Sequence, residues 1–235
     1  ADNITANNGT NVIDAGSEND TITANNGTNT ITAGDGDDTI RLNNGTNSVV
    51  AGTGVDTITV ASGTNTIDAG EGGDVITLNA GDNTVYGSSG ADSITANNGT
   101  NLIDAGTEND TITAASGNNT ITAGDGDDTI TLNNGINSVM AGSGVDTITV
   151  ASGTNTIDAG AGADVGATPT AEKLAGGISK SGGQASAGGG DLASESVVAL
   201  GIAFNGSRRP AADSASDTTA RSGSASPSRI NRSNC

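Results

Sequence analysis

The sequence predicts an all-β fold: a parallel β-roll, or β-solenoid, of about nine 18-residue coils, followed by a low-complexity, mostly disordered tail. Three observations predict it. An Asp recurs every 18 residues from Asp2 to Asp164, and an Asn recurs midway, from Asn11 to Asn155. Each half unit carries a short run alternating polar and apolar residues, such as Thr21-Ile22-Thr23 and Thr30-Ile31-Thr32, which is the period of a strand. The usual core formers are missing: the 235 residues include no Trp, one Tyr (Tyr86), one Phe (Phe204) and one Met (Met140). A globular core built on aromatics is excluded.

The elements follow in order within each unit. The first strand carries one inward Ile: Ile4, Ile22, Ile40, Ile58, Ile76, Ile94, Ile112, Ile130 and Ile148 form one wall. A turn of the type Asn25-Asn26-Gly27 comes next, with residues that tolerate positive φ. The second strand supplies the other wall: Ile13, Ile31, Val49, Ile67, Val85, Ile103, Ile121, Val139 and Ile157. Ala, Leu and Val at strand ends, as at Ala24, Leu42 and Val60, fill the rest. A second turn, Gly34-Asp35-Gly36-Asp37, closes the coil; a Gly or Asn every few residues rules out helix. Coils stacked at about 4.8 Å would make a rod of roughly 43 Å. A longer period overlies the short one, because residues 92–165 match residues 2–75 at 62 of 74 positions, so a block of five units was duplicated.

Charge divides the chain. Residues 1–164 hold 22 acids and one base, Arg41, a net charge of −21; residues 165–235 hold 5 acids and 7 bases, a net of +2; the two make the −19 of the whole. An acidic rod is a poor partner for nucleic acid or an anionic membrane, since phosphate binding needs Lys and Arg. No run is long enough for membrane insertion. Absent His and a lone Cys235 exclude a His-based triad, a zinc or haem site and a disulfide framework. No enzyme is expected, because the Asp/Glu pairs recur in equivalent turns instead of forming one unique site, and no phosphate loop is present.

The acidic turn is the most informative element. It reads Ala-Gly-Asp-Gly-Asp-Asp at 33–38 and 123–128, and AGTGVD, AGEGGD, AGSGVD and AGAGAD elsewhere. Stacking places its last Asp in a column, one per coil. Like charges about 5 Å apart repel by roughly 0.8 kcal/mol in water and about 3 kcal/mol at an effective dielectric of 20. Basic residues are absent, so a bound cation is the available neutraliser. Carboxylates with turn carbonyls are hard oxygen ligands, which suit Ca²⁺. The competing reading has Asp capping turn amides without metal.

Ala33-Gly34-Asp35-Gly36-Asp37-Asp38-Thr39-Ile40-Arg41 resembles the RTX nonapeptide G-G-x-G-x-D-x-U-x, with Ala at the first Gly. The chain is similar over residues 1–165 to the secreted calcium-binding β-rolls of that family. The resemblance implies carboxylates from Asp20, Asp38, Asp56, Asp74, Asp92, Asp110, Asp128, Asp146 and Asp164, helped by Asp35, Asp37, Asp125 and Asp127, and carbonyls from the Gly-x-Gly backbone. It further implies calcium between adjacent coils, folding triggered by the metal, and an extracellular, secreted or cell-surface location. Three turns depart from the pattern: Glu18 and Glu108 replace the second Gly and Ser88 the first, which brings standard geometry into question there. The opposite turn, Ala24-Asn25-Asn26-Gly27-Thr28-Asn29, keeps the frame and loses the charge, so calcium is expected on one edge only. Its Asn column is expected to form an internal hydrogen-bonded ladder.

Two neutral arrays remain outside. One is Thr-x-Thr on the first strand: Thr21/Thr23, Thr57/Thr59, Thr111/Thr113, Thr129/Thr131 and Thr147/Thr149. The other lies on the uncharged turn: Asn26/Thr28, Asn44/Thr46 and Asn98/Thr100. Such lattices resemble those of ice-binding solenoids, one type of which is itself an RTX-like bacterial adhesin with calcium on one edge and Thr/Asx on the other. The plain alternative is a solvated strand, for Thr is a favoured exposed strand residue, and Arg41, Val75, Asp82 and Ile136 interrupt the arrays. Three functions are therefore expected to compete: a calcium-stabilised structural or adhesive extension, an ice-binding solenoid, and an end-to-end self-associating filament built on open coil edges.

The repeat breaks after Val165, where Gly-Ala-Thr-Pro stands in place of Ile-Thr-Leu. Two domains are expected, the solenoid at 1–165 and a Gly/Ser/Ala-rich tail at 166–235, with a short cap helix near 169–175.

Overall fold

The computed structural model describes residues 1–167 and 178–179. Two ten-stranded parallel sheets face each other, one made of every first strand and the other of every second strand. The first strands have four residues, as in Thr21–Ala24 and Thr57–Val60. The second strands have eight, as in Thr28–Asp35 and Thr64–Glu71. The chain climbs one coil per repeat, so each residue pairs with the one 18 positions on: Ile22 with Ile40, Asn29 with Asn47, Gly34 with Gly52. Register is over-determined here. A slip of one residue would turn every Ile outward and every Thr inward.

The core is a single stack of small layers. Ile22, Ile40, Ile58 and Ile76 are fully buried on one wall, and Ile31, Ile67, Val85 and Ile103 on the other. Ala33, Ala51, Ala69 and Ala105 close the layer beneath the acidic turn, and Ala24, Leu42, Val60 and Leu78 close it at the opposite end. Both predicted walls are therefore in place, with Ile4 half-buried at the open first coil. The layers also contain two polar columns, since Asp20 through Asp146 and Asn29 through Asn155 are as buried as the aliphatics.

The Asn column forms the expected ladder. Each Nδ2 donates to the Oδ1 of the next coil, at 2.7 Å from Asn29 to Asn47 and 2.8 Å from Asn83 to Asn101. A buried amide left without a partner would cost about 1–3 kcal/mol, and the ladder removes that cost in every coil but the terminal ones.

The sheet outlasts the repeat. Val165–Ala167 adds to the first sheet, pairing Val165 with Thr147, and Ile178–Ser179 adds to the second. Backbone pairing tolerates the loss of the Ile at 166 because ladder bonds do not depend on the side chain. The expected cap helix at 169–175 and most of the tail lie outside the described residues. Among the described residues no helix is long and apolar enough to cross a membrane.

Candidate metal edge

The acidic turn is positioned by two glycines. Gly34 and Gly36 adopt φ of 114° and 128°, which folds the segment back on itself. The column is tight: a Cβ built on Gly52 would lie 1.9 Å from the carbonyl oxygen of Gly34, so each turn seats its neighbour's carbonyl where a side chain would otherwise stand. Glu18, Ser88 and Glu108 take φ of 76°, 79° and 73°. The non-glycine turns therefore keep the left-handed geometry, at the strain cost such residues carry.

The recurring Asp points into this turn. Its Oδ1 accepts the backbone amide of the Asp one coil earlier: Asp38 from Asp20 at 2.7 Å, Asp56 from Asp38 at 2.8 Å, Asp92 from Asp74 at 2.7 Å, Asp128 from Asp110 at 2.8 Å. Asp2 donates in the same way to Asp20. The Oδ2 atoms of Asp20, Asp38, Asp56, Asp74, Asp92, Asp110, Asp128 and Asp146 are buried with no hydrogen-bond partner. Asp164 ends the column, its Oδ1 accepting from Asp146 at 3.2 Å. Burial, opposed by the amide bond and reinforced by neighbouring carboxylates, pushes Asp56, Asp74, Asp92 and Asp128 up to about 6 and Asp110 to about 7. Asp38 and Asp146 are raised for the same first reason.

The four auxiliary acids lie elsewhere. Asp35, Asp37, Asp125 and Asp127 are exposed on the outer side of the turn. Asp37 Oδ1 accepts the amide of Val55 at 2.8 Å and Asp127 Oδ1 that of Val145 at 2.7 Å. Asp35 accepts from Thr53 Oγ1 at 3.1 Å and Asp125 from Ser143 Oγ at 2.6 Å. They cap the next coil, as Asn19 and Asn109 cap Asp37 and Asp127. That outer capping chain escaped the sequence reading, although its signal was present in the 18-residue spacing of Asn19 from Asp37 and of Asn109 from Asp127 at the fifth turn position. Glu108 caps in the opposite direction: its Oε2 accepts the amide of Gly90, one coil earlier, at 2.7 Å.

A metal fits this edge. The orphaned Oδ2 atoms are anionic oxygens without a donor, and the turns that hold them offer backbone carbonyls as further hard oxygen donors, which Ca²⁺ prefers. Among the described residues no three acidic side chains converge into a ready-made cage. Carbonyls therefore have to share the coordination with the column carboxylates.

The neutral arrays are also in register. Thr10, Thr28, Thr46 and Thr64 are paired neighbours at the start of the second strand, and all four are exposed. Asp82, Asn118 and Ile136 break the column. On the first strand Thr21 and Thr23 are half-buried, Thr57, Thr111 and Thr129 are exposed, Thr59, Thr113 and Thr131 are half-buried, and Thr147 and Thr149 are exposed. Arg41 stands between Thr23 and Thr59. Beside these runs a second ladder that the sequence reading missed: Asn25 donates to Asn7 at 2.9 Å and Asn43 to Asn25 at 2.6 Å.

A parallel β-solenoid with a column of buried carboxylates along one edge is the class of protein that fold and site define. Residues 5–40, 23–58, 41–76, 59–94, 77–112, 95–130, 104–139 and 131–165 match the RTX calcium-binding nonapeptide repeat. The chain belongs to that family, whose repeats bind Ca²⁺. A solved structure described as a hyperactive, Ca²⁺-dependent, β-helical antifreeze protein from an Antarctic bacterium is similar in fold, with a TM-score of 0.64 and 24% identity over 80% of this chain and 70% of that one. Comparison with curated proteins found no match.

Proposed function

We propose that this protein is a calcium-stiffened, non-catalytic extension that works outside the cell, where free calcium is plentiful, as a structural or adhesive spacer. The observation that carries the reading is the column of buried Oδ2 atoms. In it Asp20, Asp38, Asp56, Asp74, Asp92, Asp110, Asp128, Asp146 and Asp164 hold the ions together with carbonyls of the glycine turns. Asp35, Asp37, Asp125 and Asp127 support the turns from outside. Ca²⁺ supplies the positive charge that the edge lacks; the chain's own residues supply the spacing, the burial and the directional hydrogen bonds. Without metal, neighbouring carboxylates repel along the whole rod. Metal binding and folding are then one equilibrium. A far-UV circular dichroism titration with Ca²⁺ after chelation tests this, read alongside small-angle scattering. The expected result is a disordered-to-β transition accompanied by a change from an expanded coil to a rod. A rod that persists unchanged in chelator overturns the reading.

A second reading is ice binding. The exposed, directly paired Thr10, Thr28, Thr46 and Thr64 favour it, flanked by uncharged Asn8, Asn26 and Asn44. A flat array of hydroxyl and methyl groups at strand spacing would be its surface, continued by Asn98 and Thr100. Ice crystals growing without facets in the calcium-loaded protein would remove this reading.

A further inference from the structure

The uncharged edge of the solenoid contains five Asn-Gly pairs: Asn8-Gly9, Asn26-Gly27, Asn44-Gly45, Asn98-Gly99 and Asn134-Gly135. Three of them, at 8, 26 and 98, lie in an identical local sequence, Ala-Asn-Asn-Gly-Thr-Asn. The glycines have positive φ, between 99° and 110°. Ladder bonds of the turn run from Asn25, Asn26 and Thr28 and pass over the Gly27 amide.

Tertiary context then divides the five. In the first three coils the Asn side chains lean along their own column: Asn26 Nδ2 donates to Asn8 Oδ1 at 3.4 Å, and Asn44 Oδ1 accepts from Ser62 Oγ at 3.5 Å. Asn98 and Asn134 have different neighbours. Ala80 precedes Asn98 in the column and offers no polar atom. Ser62, Ser116 and Ser152 all turn their hydroxyls to the carbonyl of the preceding coil, at Asn43, Asn97 and Asn133, and of the three Ser62 also reaches its column asparagine. Both asparagines curl back on themselves. Asn98 Oδ1 accepts the amide of Gly99 at 2.9 Å, and Asn134 Oδ1 that of Gly135 at 2.8 Å. Both are exposed to water.

We propose that Asn98 and Asn134 are covalent modification sites, where the solenoid deamidates through a succinimide. Their hydrogen bonds hold the side-chain carbonyl against the glycine nitrogen, so that once the amide proton is lost a small side-chain rotation brings Cγ to it, and a rare encounter becomes a frequent one. Hydroxide removes the glycine amide proton, and the nitrogen bonds to Cγ. The Cγ–Nδ2 bond breaks and Nδ2 departs as ammonia after taking a proton from water. Water then opens the five-membered imide at either carbonyl, to aspartate or isoaspartate, so that NH is exchanged for O without any redox change. Each event places a carboxylate on the neutral edge. Isoaspartate also adds a backbone atom to a turn whose neighbours Asn97 and Thr100 pair with the coil below.

The experiment is ageing of the full, calcium-loaded chain at mildly alkaline pH, followed by digestion and site-resolved mass spectrometry. The peptides are distinguishable because residues 91–110 differ from residues 1–20 at Ser93, Leu102 and Thr107. Deamidation at Asn98 and Asn134 is expected on the order of tenfold faster than at Asn8, Asn26 and Asn44. In denaturant the three identical sites should react alike. Ala80→Asn, which gives Asn98 a column partner, should slow it to the rate of Asn26. Equal rates at the five sites in the folded chain, or slower reaction at Asn98 and Asn134, overturns the proposal. An unchanged rate at Asn98 in the Ala80→Asn protein overturns the role given to the missing partner.

Discussion

Asp56 accepts the backbone amide of Asp38 through Oδ1 at 2.8 Å and leaves Oδ2 buried without a partner. One side chain thus performs two tasks with opposite demands. Its first oxygen ties two coils together and stabilises them without metal. Its second is an uncompensated buried anion, which costs free energy until a cation or a proton reaches it. Because the relationship repeats in every coil, both effects multiply along the rod.

Replacing Asp74 by Asn separates the two tasks. The amide oxygen can still accept from Asp56, and the buried charge is gone. The variant should retain more β structure than the parent in chelator and gain less structure from added Ca²⁺. Calorimetric titration should also find fewer ions bound. A variant that binds the full complement of ions would remove Asp74 from the ligand set.

The pH dependence should change sign with calcium. In chelator Asp56, Asp74, Asp92 and Asp128 hold protons up to about pH 6, and Asp110 to about 7, against 3.8 for an ordinary Asp. The folded state therefore binds more protons than the unfolded state in that interval. The contribution is present in full below about pH 4 and is lost as pH rises through 6 to 7. In chelator the folded fraction should therefore fall across this window. With saturating Ca²⁺ the melting temperature should instead drop on acidification, as protons displace the metal. Circular dichroism in chelator and melts with Ca²⁺, each at several pH values, provide the check.

Asn83 is the middle of the inner ladder. Its Oδ1 accepts from Asn65 at 2.8 Å, and its Nδ2 donates to Asn101 at 2.8 Å. Asn83→Ala orphans a buried group on each side and should cost about 3 kcal/mol in chemical denaturation of the calcium-loaded protein. Asn83→Asp should be worse, since it buries an unpaired charge on the edge without a metal. A loss under half a kilocalorie for Asn83→Ala would mean water replaces the ladder.

Gly52 and Gly9 provide a paired test of the glycine turns. Gly52 has φ of 124° and no room, since its Cβ would meet the Gly34 oxygen at 1.9 Å. Gly9 has φ of 99° and open space. Gly52→Ala should lower stability by about 3 kcal/mol, combining backbone strain with a clash, and Gly9→Ala by about 1 kcal/mol from strain alone. Equal losses would show that close packing of the turns contributes nothing.

Much of the candidate edge was readable in advance for one reason: repetition converts a weak local signal into a column. A single Asp38 in a glycine turn says little, but the same Asp every 18 residues has to stack. The inner Asn ladder was legible on the same ground. The outer roles of Asp35 and Asp37 were not, because spacing cannot tell the two sides of a turn apart. Sequence likewise could not show that Glu18, Ser88 and Glu108 would accept positive φ, since the strain is borne by coils on either side.

The sequence by itself determined the all-β class, the coil length and the two aliphatic walls, because period-two patterning and an 18-residue repeat admit one register; the resemblance of residues 33–41 to the RTX nonapeptide pointed to the family. Only the tertiary structure decided which oxygen of each Asp is satisfied, which acids face the interior, and why Asn98 differs from Asn26 in the same local sequence. Those are properties of the contact between coils. That contact depends on the residue 18 positions away, and on the direction in which each hydrogen bond runs across the gap.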